Sequence, residues 1–434
     1  MSPVTIGIIA IIAMIIMLLL GFNIGLTFCM VGFFAYLTIV SPAGAAGLIK
    51  TQFYNAASNY SFCVIPLFIL MGEFCFRAKM SGGLYDAASK WLNWLPGGLA
   101  CANVAACAVF GSICGALAAT TATMGTVAMP EMRKKGYDDK LSCGSVAAGG
   151  TLGVLIPPST MFIIYGISAE QSIGKLFSAG IFPGILCAVI MMATIDLWVK
   201  LKPDAAPPRE KITWGERVKA LKGVVGIVIL FVVVLGGMFT GLFTVNEAAG
   251  IGAVMAAAIM TIMGQMTWKN LKESLISTIK TTGMVYLLLM GANVMVAFLS
   301  VSQIPTTLSS FVAGLSIPGW LLMIMIILLY LVLGCIMDGC SIILLTTPIF
   351  LPIAIMLGYD AIWFGVVITL VTQIGAITPP VGLSCYVLSG VVKDIPIATI
   401  FKGIVPFIGA LLLTIVLIVI FPGIATWLPS LVVS

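Results

Sequence analysis

The sequence predicts an all-α polytopic membrane protein built from two inverted-topology repeats. Each repeat carries a re-entrant helical hairpin and a broken transmembrane helix. Three observations predict it. First, 61% of the 434 residues are hydrophobic and only 8% are charged, with a mean hydropathy of +1.20. About 20 apolar residues cross a hydrocarbon core, so the chain has room for about ten passes. Second, six landmarks recur in order: Met71-Gly72 and Met290-Gly291, Pro96-Gly97 and Pro318-Gly319, Gly111 and Gly334, Met129-Pro130 and Leu351-Pro352, Gly136-Tyr137-Asp138 and Gly358-Tyr359-Asp360, Pro157-Pro158 and Pro379-Pro380. Their offsets run 219, 222, 223, 222, 222 and 222, the mark of an internal repeat. Third, basic residues fall on alternate loops, as the orientation count below makes explicit. The repeats span 1–200 and 223–434, joined by a basic linker over 201–222 that is expected to be cytoplasmic.

Val4–Leu20 is the first crossing. It lacks a basic leading segment and a small-residue cleavage site, so it reads as a retained helix. Gly21-Phe22-Asn23 turns the chain, Ile24–Val40 returns, and Ser41-Pro42 ends that crossing. Residues 43–60 read as a short surface segment. Phe62–Phe76 crosses next, carrying Glu73 ahead of Arg77 and Lys79. Residues 81–95 form an amphipathic interfacial helix with Trp91 and Trp94 at headgroup depth. Residues 98–132 form the first hairpin, its tip at Gly111–Gly115 and its end at Pro130; arms of about 13–15 residues are short for a span.

The first broken helix covers 141–168. Gly149, Gly150, Gly153, Pro157 and Pro158 end the half-helix Leu141–Ala148, and Thr160–Ser168 is the second half-helix. Proline lacks the N–H that a helix needs and drives the residue before it out of the α region. Leu176–Val199 crosses, and the Pro- and Lys/Arg-rich stretch 200–222 is the longest polar loop. The second half repeats the order. Val224–Thr240, Ala248–Gly264 and Thr281–Leu299 cross; the hairpin 320–356 turns at Gly334–Cys340; the helix 361–391 breaks at Gly375–Pro380; Ile400–Ile420 crosses last.

Five full crossings per half, an odd number, invert the second half. With the N-terminus outside, 77–95, 133–140, 200–222, 265–280 and 393–402 fall inside. These carry 19 of the 21 Lys and Arg residues, and only Lys50 and Lys175 fall outside. The positive-inside rule selects this orientation, with both termini periplasmic. The linker 301–317 carries no charge and falls outside, as inversion requires.

Histidine is absent, and no CxxC pair occurs, so zinc, haem and imidazole chemistry are set aside. The eleven cysteines lie mostly in apolar runs, as small buried hydrophobes do. No basic stripe with interleaved aromatics points to nucleic acid. Broken backbone within a membrane survives only where it is buried in protein or lines a wet cavity. The breaks and hairpin tips therefore mark a binding site. Half-helix N-termini there suit an anionic substrate, and unwound carbonyls suit Na⁺. Ser112, Thr120, Thr121, Thr123, Thr151 and Ser159 supply oxygens in the first half, and Ser341, Thr346, Thr347, Thr372, Gln373, Thr378 and Ser384 in the second. Asp338, an acid at a hairpin tip, is expected to ligate or neutralise a cation; the alternative is a helix N-cap. Glu73 and Asp196 read as helix-end acids paired with Arg77 and Lys200, and Glu247 as a first-turn acid.

The runs Phe110-Gly-Ser-Ile-Cys-Gly-Ala-Leu-Ala-Ala-Thr, Met129-Pro-Glu-Met, Gly136-Tyr-Asp, Ala148-Gly-Gly-Thr-Leu-Gly-Val-Leu-Ile-Pro-Pro-Ser and Gly180-Ile-Phe-Pro-Gly carry a family resemblance. Over essentially its whole length the chain resembles the large membrane subunit (DctM-like) of tripartite ATP-independent periplasmic (TRAP) transporters. The resemblance implies Na⁺-driven uptake of an organic acid, a C4-dicarboxylate, a sialic acid or another carboxylate, across a bacterial inner membrane. It implies a small four-helix membrane subunit, not fused here, and a periplasmic binding protein that delivers substrate. It implies an elevator motion of a transport domain against a scaffold, with membrane lipid around both. It places sodium ligands at Ser112, Gly115, Gly150, Thr151, Gly153, Gly334, Asp338, Gly339, Gly375 and Thr378. Substrate contacts are expected at Thr120, Thr121, Pro157, Pro158, Ser159, Ser341, Pro379 and Pro380.

Two other readings stand beside it. One is a self-sufficient Na⁺ or H⁺ carboxylate symporter without a binding protein. The other is an intramembrane enzyme, against which stand the missing histidine, the lack of paired carboxylates and the lack of an Asp-rich metal motif.

Overall fold

The computed structural model describes residues 2–209, 211–314 and 317–431, and all regular structure among them is helical. Positions 315 and 316 of the expected linker 301–317 lie outside the described residues, as does 210 of the basic linker. Helices α1 (Pro3–Leu19) and α2 (Ile24–Ile39) pair about a turn at Gly21, whose φ of 83° suits glycine. Asn23 caps α2 by accepting from the Leu26 N–H. The expected surface segment 43–60 is instead helical: α3 (Pro42–Ser58), followed by a 3₁₀ turn at Tyr60–Cys63. Ser41 caps α3 through the Gly44 N–H, and Pro42 stands at its first turn. That pair starts a helix, and the alanines that follow propagate it.

The chain continues as α4 (Val64–Arg77), the interfacial α5 (Met80–Leu92), the hairpin α6 (Gly98–Cys114) and α7 (Leu117–Lys134), the broken pair α8 (Asp139–Leu155) and α9 (Thr160–Ser168), and α10 (Ile173–Leu201). The linker holds α11 (Trp214–Leu221), docked on α5 by an edge-to-face Trp91–Trp214 contact at 5.9 Å. Then follow α12 (Val225–Phe239), α13 (Val245–Ile262), α14 (Trp268–Ser302), α15 (Ile304–Gly314), the hairpin α16 (Gly319–Gly334) and α17 (Gly339–Met356), the broken pair α18 (Ala361–Ile377) and α19 (Leu383–Val391), α20 (Ile397–Ile420) and α21 (Gly423–Thr426).

Among the described residues six helices are long and apolar enough to cross a membrane, or eight if the bent pairs α8–α9 and α11–α12 each count once. One of the six is α17, expected from sequence as a hairpin arm. Helices α1 and α2 are apolar but shorter. Helix α14 runs 35 residues, well beyond the expected Thr281–Leu299. At 1.5 Å per residue it is about 52 Å long, more than the bilayer core requires.

The glycine-rich stretches do not break their helices. Helix α8 runs unbroken through Gly149, Gly150 and Gly153 to Leu155, and α18 runs through Gly375 to Ile377. The breaks fall at the prolines, over 156–159 and 378–382, and the α8–α9 bend is 42°. Likewise α6 passes through Gly111 and Ser112 to Cys114, so the first tip is only Gly115-Ala116. The glycines serve close approach instead. A Cβ on Gly153 would sit 2.7 Å from Gly111 Cα, and one on Gly334 would sit 3.0 Å from Gly375 Cα. A Cβ on Gly149 would sit 2.8 Å from Cys107 Sγ. Pro130 also fails to stop α7, which continues to Lys134 with Pro130 inside it. Packing on α5, α6 and α8 holds that helix despite one lost backbone bond.

The packing forms two groups. Helices α1–α4 and α12–α14 pack among themselves, with α14 against α1, α2, α3 and α4, and α4 against α13. Helices α6–α10 and α16–α20 form the other group, centred on α8 and α18, whose side chains are almost wholly buried. The half-helices are exchanged across it: α9 packs on α17 and α18, while α19 packs on α7 and α8. Ser384 of α19 donates to the Ala147 carbonyl at 2.8 Å and lies 2.8 Å from Thr121 Oγ1. Tyr165 of α9 donates to the Ala361 carbonyl. At one end Arg133 bonds both Asp139 and Asp394, and its bond holds the Asp394 carboxyl below the usual range. Exposed apolar side chains such as Ile8, Ile12, Phe34, Val232 and Leu328 face the lipid.

Two outcomes follow from this packing. Gly375→Ala and Gly111→Ala each drive a methyl into facing backbone, so each should cost about 1–3 kcal/mol. Gly250→Ala, with nothing within 4 Å, should be neutral or slightly stabilising. Melting of detergent-purified protein reads both. Ser384→Ala should lower stability by about 1 kcal/mol, since it removes the bond to the Ala147 carbonyl and the partner of the Thr121 hydroxyl; Ser384→Thr should recover part of the loss.

Candidate functional site

Both hairpin tips, the second break and the helix ends that flank the first break meet at one cavity of about 670 Å³. The first tip reaches it with Gly115, whose φ is 61°. Thr160 ties that tip to the start of α9 by donating from Oγ1 to the Gly115 carbonyl at 2.7 Å. The second tip contributes Gly334, Asp338 and Gly339, and the second break contributes Gln373, Ala376 and Gly382. The opposite wall comes from α4 (Ile69, Gly72, Glu73, Phe76) and α14 (Thr281, Met284, Val285, Leu288), each presenting one helical face.

Helix ends set the electrostatics. Helix α7 starts at the cavity with Leu117, Ala118 and Ala119, and no side chain caps it. Helix α19 starts there behind Gly382, whose φ is 53°, again without a side-chain cap. First-turn N–H groups and the positive dipole end are therefore available to an anion at two places. Helix α17 differs. Asp338 Oδ2 accepts from the Cys340 N–H at 3.1 Å, the Ser341 N–H at 3.4 Å and Ser341 Oγ at 3.4 Å. The N-cap alternative thus describes its bonding, and the residue also lines the cavity. Among the described residues no group of three or more His, Cys, Asp or Glu side chains could hold a metal. Asp338 and Glu73 are the two carboxylates on the lining, and Glu73 is engaged by Ser277 and Arg77.

The other sequence-predicted residues stand in the structure behind this wall. Ser112, Thr120, Thr151 and Thr378 donate to carbonyls of their own helices, at Val109, Ala116, Ala148 and Ile374. Ser159 caps α9 through the Phe162 N–H and donates to the Val154 carbonyl. Thr121 faces Ser384, and Ser341 donates to Asp338. Gly150, Gly153 and Gly375 are buried or packed in helix crossings, and Pro157, Pro158, Pro379 and Pro380 form the breaks. Asp196 pairs with Lys200, and Glu247 completes a capping box with Thr244, as expected.

Sequence reasoning missed the α14 wall and the network at its lower end. There Ser277 donates to Glu73, and Arg77 bonds Glu273 while lying 3.6 Å from Glu73. The signal was the charged extension of α14 ahead of Thr281, which pairs with residues about 200 positions away. Thr160 and Cys114, which also line the cavity, were not singled out.

A family model described as "Tripartite ATP-independent periplasmic transporter, DctM component" matches residues 11–424. A C4-dicarboxylate TRAP transporter large permease protein DctM of Pseudomonas aeruginosa is 33% identical over 395 residues, covering 90% of this chain and 91% of its own length. A sialic acid TRAP transporter large permease protein SiaM of Vibrio cholerae is 30% identical over 416 residues, 96% of each chain. Among solved structures, the Alcanivorax borkumensis YdaH transporter superposes with a TM-score of 0.65 at 14% identity, covering 92% of this chain and 98% of its own, a likeness of fold alone. The relatives are transporter permeases, not enzymes. Matched over nearly its whole length, the chain belongs to the DctM component family of TRAP transporters: it is a large permease subunit, a multi-pass membrane protein and not an enzyme.

Proposed function

We propose that this chain is the translocating subunit of a Na⁺-coupled carboxylate importer. The carboxylate binds between the uncapped N-termini of α7 and α19, and Na⁺ binds at the tips and breaks, with Asp338 supplying the charge. One observation carries this: a single cavity joins two open helix N-termini to the Asp338 carboxylate at the second tip. The substrates in the names of the relatives, a C4-dicarboxylate and a sialic acid, are both carboxylates. The family's description as tripartite supports two further components, a small four-helix membrane subunit and a periplasmic binding protein.

Inverted repeats account for the matched elements. Helices α6, α7, α8 and α9 begin 221, 222, 222 and 223 residues before α16, α17, α18 and α19. The Lys and Arg distribution orients the two sets oppositely, with both termini periplasmic in a bacterial inner membrane. In this reading α1–α4 and α12–α14 are the scaffold, and the group centred on α8 and α18 is the moving elevator domain. The cavity runs from the tips along α7 to Thr126, along α19 to Val391, along α4 to Phe76 and along α14 to Thr281. Three of the four paths end within two residues of Arg77, Lys280 or Lys393, which supports an opening toward the cytoplasm.

Asp338→Asn should weaken the Na⁺ dependence of uptake in proteoliposomes about tenfold or more, with little loss of folded protein. Asn caps a helix nearly as well as Asp but brings no charge to a cation. An unchanged Na⁺ response would sink the ligand assignment, and uptake without the binding protein would overturn the tripartite reading in favour of a self-sufficient symporter. A variant whose only cysteine is Cys114 should react faster with an impermeant maleimide in inside-out than in right-side-out vesicles. The reverse order would contradict the cytoplasmic opening.

A further inference from the structure

Gln373 lies near the C-terminal end of α18, ahead of the second break. It lines the cavity although the residue itself is fully buried. Its Nε2 lies 3.2 Å from Met161 Sδ, and its Oε1 has no hydrogen-bond partner. Among the described residues it is the one cavity-lining residue with a buried, unpartnered side-chain polar atom. A thioether is a weak acceptor, and an amide oxygen left unpaired in the interior costs about 1–3 kcal/mol. Reversing the amide would set oxygen against sulfur, which leaves neither group a donor. The orientation with Oε1 free is therefore the favoured one.

No structural need accounts for this polarity. The residue 222 positions earlier is Thr151, whose hydroxyl is satisfied by the Ala148 carbonyl. One turn before Gln373 on the same face, the buried Thr369 hydroxyl is also unpartnered. Met161 is wedged between Gln373 and the second tip, close against Gly339. With three rotatable bonds and no strong partner, it is a displaceable plug.

We propose that Gln373 is a specificity-determining residue, which accepts a hydrogen bond at Oε1 from a hydroxyl of the transported carboxylate once Met161 changes rotamer. This rests on the placement of the carboxylate in this cavity. An ionised carboxylate has no proton to offer Oε1 and is served by the N-termini of α7 and α19. An ammonium would be drawn to Asp338. The group left for a neutral acceptor is a hydroxyl, so the substrate class is hydroxycarboxylates rather than their deoxy analogues. Sites built around a substrate hydroxyl discriminate strongly against analogues that lack it.

The test is ligand-induced stabilisation of the purified permease with its membrane partner, in Na⁺, titrated with matched pairs: L-lactate and propionate, L-malate and succinate, D-gluconate and hexanoate. In the wild type the hydroxylated member of at least one pair should bind tenfold or more tighter than its partner. Gln373→Leu and the unbranched Gln373→Met should reduce that ratio to about one and leave the deoxy member's affinity unchanged. A ratio preserved in either folded variant overturns the proposal, as does a wild type that binds deoxy members equally well. If both variants fail to accumulate as folded protein, Gln373 is structural and the proposal falls. Failure of the wild type to bind any carboxylate overturns the cavity assignment as well, an outcome distinct from the others.

Discussion

The fold depends on how closely two backbones can approach. Gly111 meets Gly153, and Gly334 meets Gly375, each time a hairpin arm against the helix that breaks beside it. No other residue allows that separation. The crossings bring each tip close to its own broken helix, so the first break is buried in protein and the second borders the cavity. Without them the tips would stand away from the prolines, and the unpaired N–H and C=O groups of both would face lipid or an empty gap.

Enclosure also sets the chemistry. Three helices begin at the cavity, and they are treated differently. Asp338 covers the start of α17, whereas α7 and α19 begin behind Ala116 and Gly382, which bring no capping side chain. A serine or aspartate at either position would satisfy the orphan donors and remove the attraction for an anion. Two helix ends at the cavity are thus left with free N–H groups, and the third is closed by a carboxylate.

Much of the architecture was legible in the sequence. The apolar runs, the 222-residue spacing and the double prolines located the hairpins and breaks to within a few residues. Glycine was the ambiguous letter. At Gly149–Gly153 the sequence reads as a break, because glycine permits bends; in the fold the same glycines stay helical and permit contact. The two double prolines break the chain where expected, whereas the single Pro130 is carried inside α7. At residues 43–60 a Ser-Pro start outweighed small, polar composition. The α4–α14 wall was hidden for another reason: Arg77 and Glu273 are 196 residues apart, and no local pattern encodes such a pairing. Gln373 was visible as an oxygen, but its lack of a partner is a property of packing.

The exchange of half-helices bears on how such a chain can be taken apart. Each tip touches its own break, yet Ser384 of the second half lies against Thr121 and Ala147 of the first, and Tyr165 of the first reaches Ala361 of the second. Each half therefore carries a wall of the other's pocket. A chain cut at the basic linker leaves two fragments, each with its glycine crossing intact and one side of its cavity missing. The two halves read as a duplication in sequence, yet each is packed with a half-helix supplied by the other.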